Sequence, residues 1–145
     1  MWLRKWFDAG FAIFNKHREI ILYLIFGGLA TLISAVTYFL ASWGLNLSAW
    51  LSSVVSWTTA VIFAYITNRA IVFQSKTSSK QGVAKEAVMF LAARLSSLAL
   101  NVAIMYVFVD VMNLNETLFF VIAQIVVIVF NYIASKLLVF RKGEP

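Results

Sequence analysis

Four apolar stretches, Ile20–Trp43, Trp50–Ile71, Ala87–Val109 and Leu118–Leu138, occupy most of the chain. Each is at least as long as the about 20 residues a helix needs to cross a hydrocarbon core about 30 Å thick. Inside hydrocarbon the backbone must satisfy its own N–H and C=O groups, which leaves only helices and closed barrels. The stretches are continuous and do not alternate apolar with polar at every second residue, so a barrel is excluded. Composition agrees: 62% of the 145 residues are hydrophobic and 12% are charged, where a soluble domain carries about 25% charged residues. The fold class expected is an all-α integral membrane protein with four transmembrane helices.

Several chemistries drop out at once. There is no cysteine, hence no disulfide framework and no thiolate metal site. His17 is the one histidine, and the scattered carboxylates give no metal-ligand spacing. No P-loop, nucleophile elbow or HExxH motif is present, so neither nucleotide hydrolysis nor covalent catalysis is indicated and no cofactor is expected. Proline occurs only at Pro145, so no proline kink is expected in any helix. The first apolar run is too long for a secretory signal and follows a largely amphipathic leading segment.

The net charge of +6 is arranged by position. Arg4, Lys5, Lys16 and Arg18 precede the first run. Arg69, Lys76, Lys80 and Lys85 lie between the second and third, and Lys136, Arg141 and Lys142 close the chain. Loops 43–49 and 110–117 contain no Lys or Arg, and the second holds Asp110 and Glu116. This bias argues against nucleic acid as the partner of the cations. It places both termini and the 74–85 loop in the cytoplasm by the positive-inside rule, with the basic clusters near anionic lipid head groups.

Phe63-Ala-Tyr-Ile-Thr-Asn-Arg-Ala-Ile-Val-Phe73 returns as Phe130-Asn-Tyr-Ile-Ala-Ser-Lys-Leu-Leu-Val-Phe140, 67 residues on (130 − 63). The same offset carries Arg18-Glu19 onto Lys85-Glu86 and Asn46-Leu47 onto Asn113-Leu114. Each copy has two crossings, and an even number preserves orientation, so the halves are expected as parallel repeats. The organisation expected is a cytoplasmic or interfacial segment at 1–17, a four-helix membrane domain at 18–141 and a cytoplasmic tail at 142–145. Within the domain, repeat 1 is 18–73 and repeat 2 is 85–140. Trp2, Trp6 and Ile13 share one helical face, which suits an amphipathic helix lying in the interface.

Polar residues inside the apolar runs nominate a site. Arg94 lies on the order of 10 Å along its helix from Ala87, a depth where charge is costly unless it snorkels, pairs or meets water. Ser97 and Asn101 follow at i+3 and i+7, on the same face. Gln124, Asn131 and Ser135 form a second stripe on the fourth helix, with Lys136 at its end. The second helix ends in Thr67, Asn68 and Arg69. Arg supplies a planar fork suited to phosphate and Lys a point charge, so these groups suit an anion near the cytoplasmic side. Against this stand ordinary readings: snorkelling for Arg94, interfacial anchoring for Arg69 and Lys136, interhelical hydrogen bonds for Gln124 and Asn131. In the 67-residue register Arg94, Asn101, Gln124 and Asn131 replace Gly27, Ser34, Trp57 and Ala64, so the second half holds most of the polar chemistry. Gly27, Thr31, Ser34 and Tyr38 would give helix 1 a small-polar face for close approach. Trp43, Trp50, Phe73 and Phe140 sit at expected boundaries as interfacial anchors.

Tyr23-Leu-Ile-Phe-Gly-Gly-Leu-Ala-Thr31, Asn68-Arg69-Ala-Ile-Val-Phe73 and Asn131-Tyr-Ile-Ala-Ser-Lys-Leu-Leu-Val-Phe140 resemble the GtrA-like family of small four-helix membrane proteins. The likeness covers about residues 18–141. It departs at Ile71 and Leu138, where many members carry an aromatic. The resemblance implies a flippase that moves a polyprenyl-phosphate-linked monosaccharide across the bacterial inner membrane for envelope glycan modification. The substrate-binding set expected from the polar residues above is Arg94, Asn101, Asn131, Gln124, Asn68, Arg69, Ser135, Lys136 and Ser97. The partners implied are the lipid-linked sugar, membrane lipids and a glycosyltransferase. Four helices scarcely enclose head group and pathway, so a homo-oligomer, a dimer, is expected. The alternative is a non-transporting membrane subunit that recruits or stabilises a glycosyltransferase. A four-helix drug/proton antiporter would need an acidic residue deep in the membrane, whereas Glu19 lies at a boundary.

Overall fold

The computed structural model describes residues 2–140, with side chains from Phe14 onward. Among these residues there is no strand. Four helices are long and apolar enough to cross a membrane: Phe14–Gly44, Ala49–Val72, Lys80–Val111 and Glu116–Val139. The chain is a multi-pass membrane protein of all-α class. Its apolar side chains face outward as a lipid-embedded protein requires, with Leu32 59% and Ile125 57% exposed.

The first helix, α1, runs Trp2–Phe39 but is broken at His17, whose φ of −114° and ψ of 19° are not helical. The break has no proline behind it and separates the leading segment from the membrane helix. The side chains of Trp2, Trp6 and Ile13, on which the interfacial-helix expectation rests, lie outside the described residues, as does the tail at 142–145. Helices α2 (Ala49–Thr67), α3 (Lys80–Met105) and α4 (Glu116–Ala134) follow.

Helix α3 starts at Lys80, earlier than the apolar run that begins at Ala87. The cause is local. Ser79 caps it by accepting a hydrogen bond from the Gly82 N–H at 3.1 Å. A side chain at Gly82 would meet Thr77 Cγ2 and Ser79 Oγ, so glycine lets the linker fold against the helix start. Asn115 caps α4 in the same way, accepting from the Leu118 N–H at 2.9 Å.

Each of the four helices ends in a π-helical turn: Leu40–Gly44, Asn68–Val72, Tyr106–Val111 and Ser135–Val139. The wider turn closes i→i−5 bonds, from the N–H of Leu45 to Leu40 O, Phe73 to Asn68 O, Met112 to Val107 O and Phe140 to Ser135 O. Such turns are rare and cluster at functional places. Two of them are followed by asparagines in the left-handed region, Asn46 and Asn113, both at φ 52°. Asparagine tolerates that conformation better than other side-chain-bearing residues. It lets Leu47 N–H reach Ala41 O and Leu114 N–H reach Phe108 O, each at 3.0 Å, which satisfies helix-end carbonyls.

The chain divides into two compact units, Met1–Gln74 and Ser75–Pro145. In the first, α1 and α2 are antiparallel. Arg18 near the start of the membrane helix donates to Ile71 O at 3.4 Å, and Tyr23 and Phe73 rings lie 6.3 Å apart. With its amide oxygen turned toward Arg18, Gln74 accepts from both guanidinium nitrogens at 3.2 and 3.1 Å. Phe26 and Phe63 meet further along, at 6.4 Å. Polar side chains on α2 bond back to their own helix, as Ser53 does to Ala49 O and Thr59 to Val55 O, which keeps their hydroxyls satisfied in lipid.

In the second unit α3 and α4 are antiparallel. Phe90 and Phe140 rings lie 6.0 Å apart near one end, and Phe108 and Phe119 stack at 4.7 Å near the other. Ser75 in the linker donates to the Glu86 carboxylate, which is 6% exposed. Element ends recur at the offset seen in the sequence: Ala49–Thr67 against Glu116–Ala134, and Asn68–Val72 against Ser135–Val139.

Two expectations change. Phe73 and Phe140 are buried at 4% and 3% exposure, so they are core residues of their units and not boundary anchors. Trp43 and Trp50 are exposed, as anchors should be. Within the first unit, no heavy atom lies within 4 Å of a Cβ built at Gly27 or Gly28, so the packing of α1 against α2 does not use these glycines for a close approach.

Candidate functional site

The second unit holds most of the nominated residues, and its ring pair sets their level. Phe90 packs against Phe140. Arg94 lies one helical turn beyond Phe90, about 6 Å further along α3. Ser135 and Lys136 lie about one turn before Phe140 on the antiparallel α4, so Arg94, Ser135 and Lys136 occupy a similar level of this hairpin.

Arg94 is half-buried, and its guanidinium carbon sits 4.9 Å from the centroid of the Phe90 ring. Helical side chains lean toward the N-terminus, which brings Arg94 over the residue four positions earlier. A half-buried cation over an aromatic face gains about 1 kcal/mol, between the exposed and the desolvated limits. That offsets part of the cost of placing charge at this depth. Among the described residues the guanidinium has no carboxylate or carbonyl partner. Snorkelling and ring stacking pull it the same way, toward the start of α3, and leave its fork available to an anion.

Ser97 is buried and its hydroxyl donates to Arg94 O at 2.8 Å. Its proton is therefore committed to the backbone. Asn101 is half-buried further along the same face. On α4, Gln124 is half-buried, and Asn131 and Ser135 are buried together one turn apart, at 4% and 2% exposure. The Asn131 side-chain oxygen has no hydrogen-bond partner. Lys136 is exposed, and its ammonium donates to the Tyr132 hydroxyl at 3.2 Å. It belongs to a different face of α4 from Asn131 and Ser135.

In the first unit the Asn68 side chain is 2% exposed. Its amide nitrogen donates to Ala64 O at 2.6 Å, while its amide oxygen has no partner. Thr67 beside it bonds back to Phe63 O at 2.9 Å. Arg69 is half-buried.

Phe90 and Tyr132, which touch the two cations, were not among the nominated residues. Both were within reach of the sequence, since each stands four positions before its cation, at helical-neighbour spacing. An apolar or aromatic residue inside an apolar run carries no signal by itself, and only the location of the cation singles it out. The Glu86 carboxylate accepts from the Ser75 hydroxyl, which ties the linker to α3. No cluster of three or more His, Asp or Glu that could hold a metal occurs among the described residues.

The arrangement offers a partly desolvated guanidinium, buried amides and hydroxyls, and long lipid-facing flanks. Among the described residues of this hairpin, the Ser97 hydroxyl donates to a backbone carbonyl and not to a base. Such a set can bind an anion and hydrogen-bond a polar group, and it suits an amphiphile with both.

A family model described as GtrA/DPMS, transmembrane domain, matches residues 22–140. The chain is similar to the "Cell wall teichoic acid glycosylation protein GtcA" of Listeria monocytogenes serovar 1/2a, at 31% identity over 96% of each chain. It is similar to the "Uncharacterized membrane protein YwcD" of Bacillus subtilis, at 36% identity over 85% of this chain and 97% of that one. A Listeria innocua protein with the GtcA name is 31% identical over 88% of this chain and 87% of its own. No solved structure matches the chain significantly.

Proposed function

The chain belongs to the GtrA/DPMS transmembrane domain family, and from that premise we propose that it serves cell-wall glycosylation as a flippase for a polyprenyl-phosphate-linked monosaccharide. The similarity to proteins named for teichoic acid glycosylation supports the process. The observation that carries the transport reading is Arg94, a half-buried guanidinium held over Phe90 within a membrane helix with no ionic partner among the described residues. A phosphate supplies the missing anion, and a forked donor suits it. Polar side chains at Ser97, Asn101, Gln124, Asn131 and Ser135 suit a sugar, and the lipid-facing helix flanks suit an isoprenoid tail. Asn68, Arg69 and Lys136 belong to the same proposed binding set.

The protein moves its ligand and neither makes nor breaks a bond. It sits in the bacterial cytoplasmic membrane with both termini inside, as the cation distribution supports. We propose a homodimer, because four helices offer little enclosure for so large an amphiphile. The two hairpins are duplicated units, a reading supported by the shared offset of their helix ends.

Purified protein in proteoliposomes tests the function directly. Wild-type protein should move a polyprenyl-phosphate-linked sugar between leaflets, and Arg94→Ala should slow that movement at least tenfold at unchanged membrane insertion. Normal flipping by the alanine variant would sink the phosphate assignment. Wild-type protein that binds a glycosyltransferase yet leaves lipid-linked sugar in place would instead establish the alternative, a recruiting subunit.

A further inference from the structure

Asn68 stands at the point where α2 widens into its π-helical turn, and its carboxamide is asymmetric in a way the local bonding decides. The nitrogen donates to Ala64 O at 2.6 Å. Turning the amide over would set its oxygen against that carbonyl oxygen, a repulsive contact, so the assignment is determined by its partner. The oxygen is consequently the uncommitted atom. It is buried, in a side chain 2% exposed, and has no hydrogen-bond partner among the described residues. An amide oxygen only accepts. Asn68 therefore presents a buried acceptor of known polarity, and nothing in the helix requires it. Thr67, its neighbour, satisfies itself by bonding back to Phe63 O, and a serine or threonine at 68 could do the same. A buried acceptor left unmatched is destabilising, a penalty that an apolar residue would avoid.

We propose that Asn68 Oδ1 reads a sugar hydroxyl, accepting its proton in a hydrogen bond during passage of the lipid-linked substrate, and so discriminates among sugars by whether one ring position carries a hydroxyl. This rests on the transport reading above. A hydroxyl offers the donor this atom lacks. A trapped water could offer the same donor, and the two sources respond differently to changes in the sugar.

The probes are polyprenyl-phosphate-linked glucose, galactose and N-acetylglucosamine in proteoliposomes. For the form moved fastest, a series replaces single hydroxyls by hydrogen or by fluorine, which accepts weakly and cannot donate. At one ring position both replacements should slow wild-type transport about tenfold, the effect of losing one buried hydrogen bond. Asn68→Leu should slow the parent sugar by a similar factor and make that position indifferent to replacement. Asn68→Ser, in case the leucine variant folds poorly, should likewise blunt the dependence. Tolerance of fluorine at every position, or a hydroxyl dependence undiminished in both variants, would overturn the inference and assign the donor to water. Failure of wild-type protein to move any of the three sugars would overturn the transport reading itself.

Discussion

At the scale of single residues, Arg94 is governed by the balance between desolvation and attraction. Its aromatic support is Phe90, which is 1% exposed and therefore cannot turn away to solvent. Phe90→Leu keeps the volume roughly apolar but removes the ring face, so cation–π support of about 1 kcal/mol is lost. We expect ligand affinity to change several-fold and thermal stability in detergent to fall, because the Phe90–Phe140 contact goes as well. Arg94→Lys separates fork from charge. A partly active lysine variant would indicate that the two-pronged geometry contributes, since lysine supplies only a point charge. Full activity in the flipping assay would reduce the requirement to charge alone.

At the scale of elements, the helix ends carry most of the specific bonding. Asn46 occupies φ 52°, so Asn46→Val should destabilise by about 1–2 kcal/mol, as a β-branched side chain resists the left-handed region. Asn46→Gly should be neutral within a few tenths of a kcal/mol. Equilibrium unfolding in mixed micelles would measure both, and equal losses from the two variants would show that the conformation is not the cause. The start of α3 offers a second case. Ser79→Ala removes the hydroxyl that accepts from Gly82 N–H and should cost about 1 kcal/mol. Hydrogen exchange should then rise in the first turn of α3 and stay unchanged beyond Phe90. The matched Asn-Leu pairs at 46–47 and 113–114 were visible as a repeat, but their role as left-handed helix caps was not. A backbone angle depends on how the chain leaves the helix, which residue identity only permits.

At the scale of the molecule, orientation follows from charge and can be measured. Ser48 and Ser78 are both exposed and lie in loops on opposite sides of the proposed topology. In a chain without native cysteine, Ser48→Cys should react with an impermeant maleimide in intact cells and Ser78→Cys only after permeabilisation. The reverse pattern would invert the proposed topology.

The helix count and the membrane class were legible in the sequence because hydrocarbon forces long apolar runs to satisfy their own backbones, whatever their neighbours do. The level of Arg94 and the 67-residue offset were equally legible, being matters of counting along a helix. Burial was not. Phe73 and Trp43 look alike as aromatic residues at a helix end, yet one is 4% exposed and the other 75%. Which of them turns inward depends on the helix opposite, and only antiparallel packing puts Tyr23 against Phe73. The same holds for the amides. Asn68 and Gln124 read as equivalent polar residues in apolar runs, but the fold commits the Asn68 nitrogen to Ala64 O and leaves its oxygen buried without a donor. Residue identity determined which atoms could accept a proton. Tertiary structure decided which acceptor was left free, because a hydrogen bond is made by position and burial decides whether water can replace it.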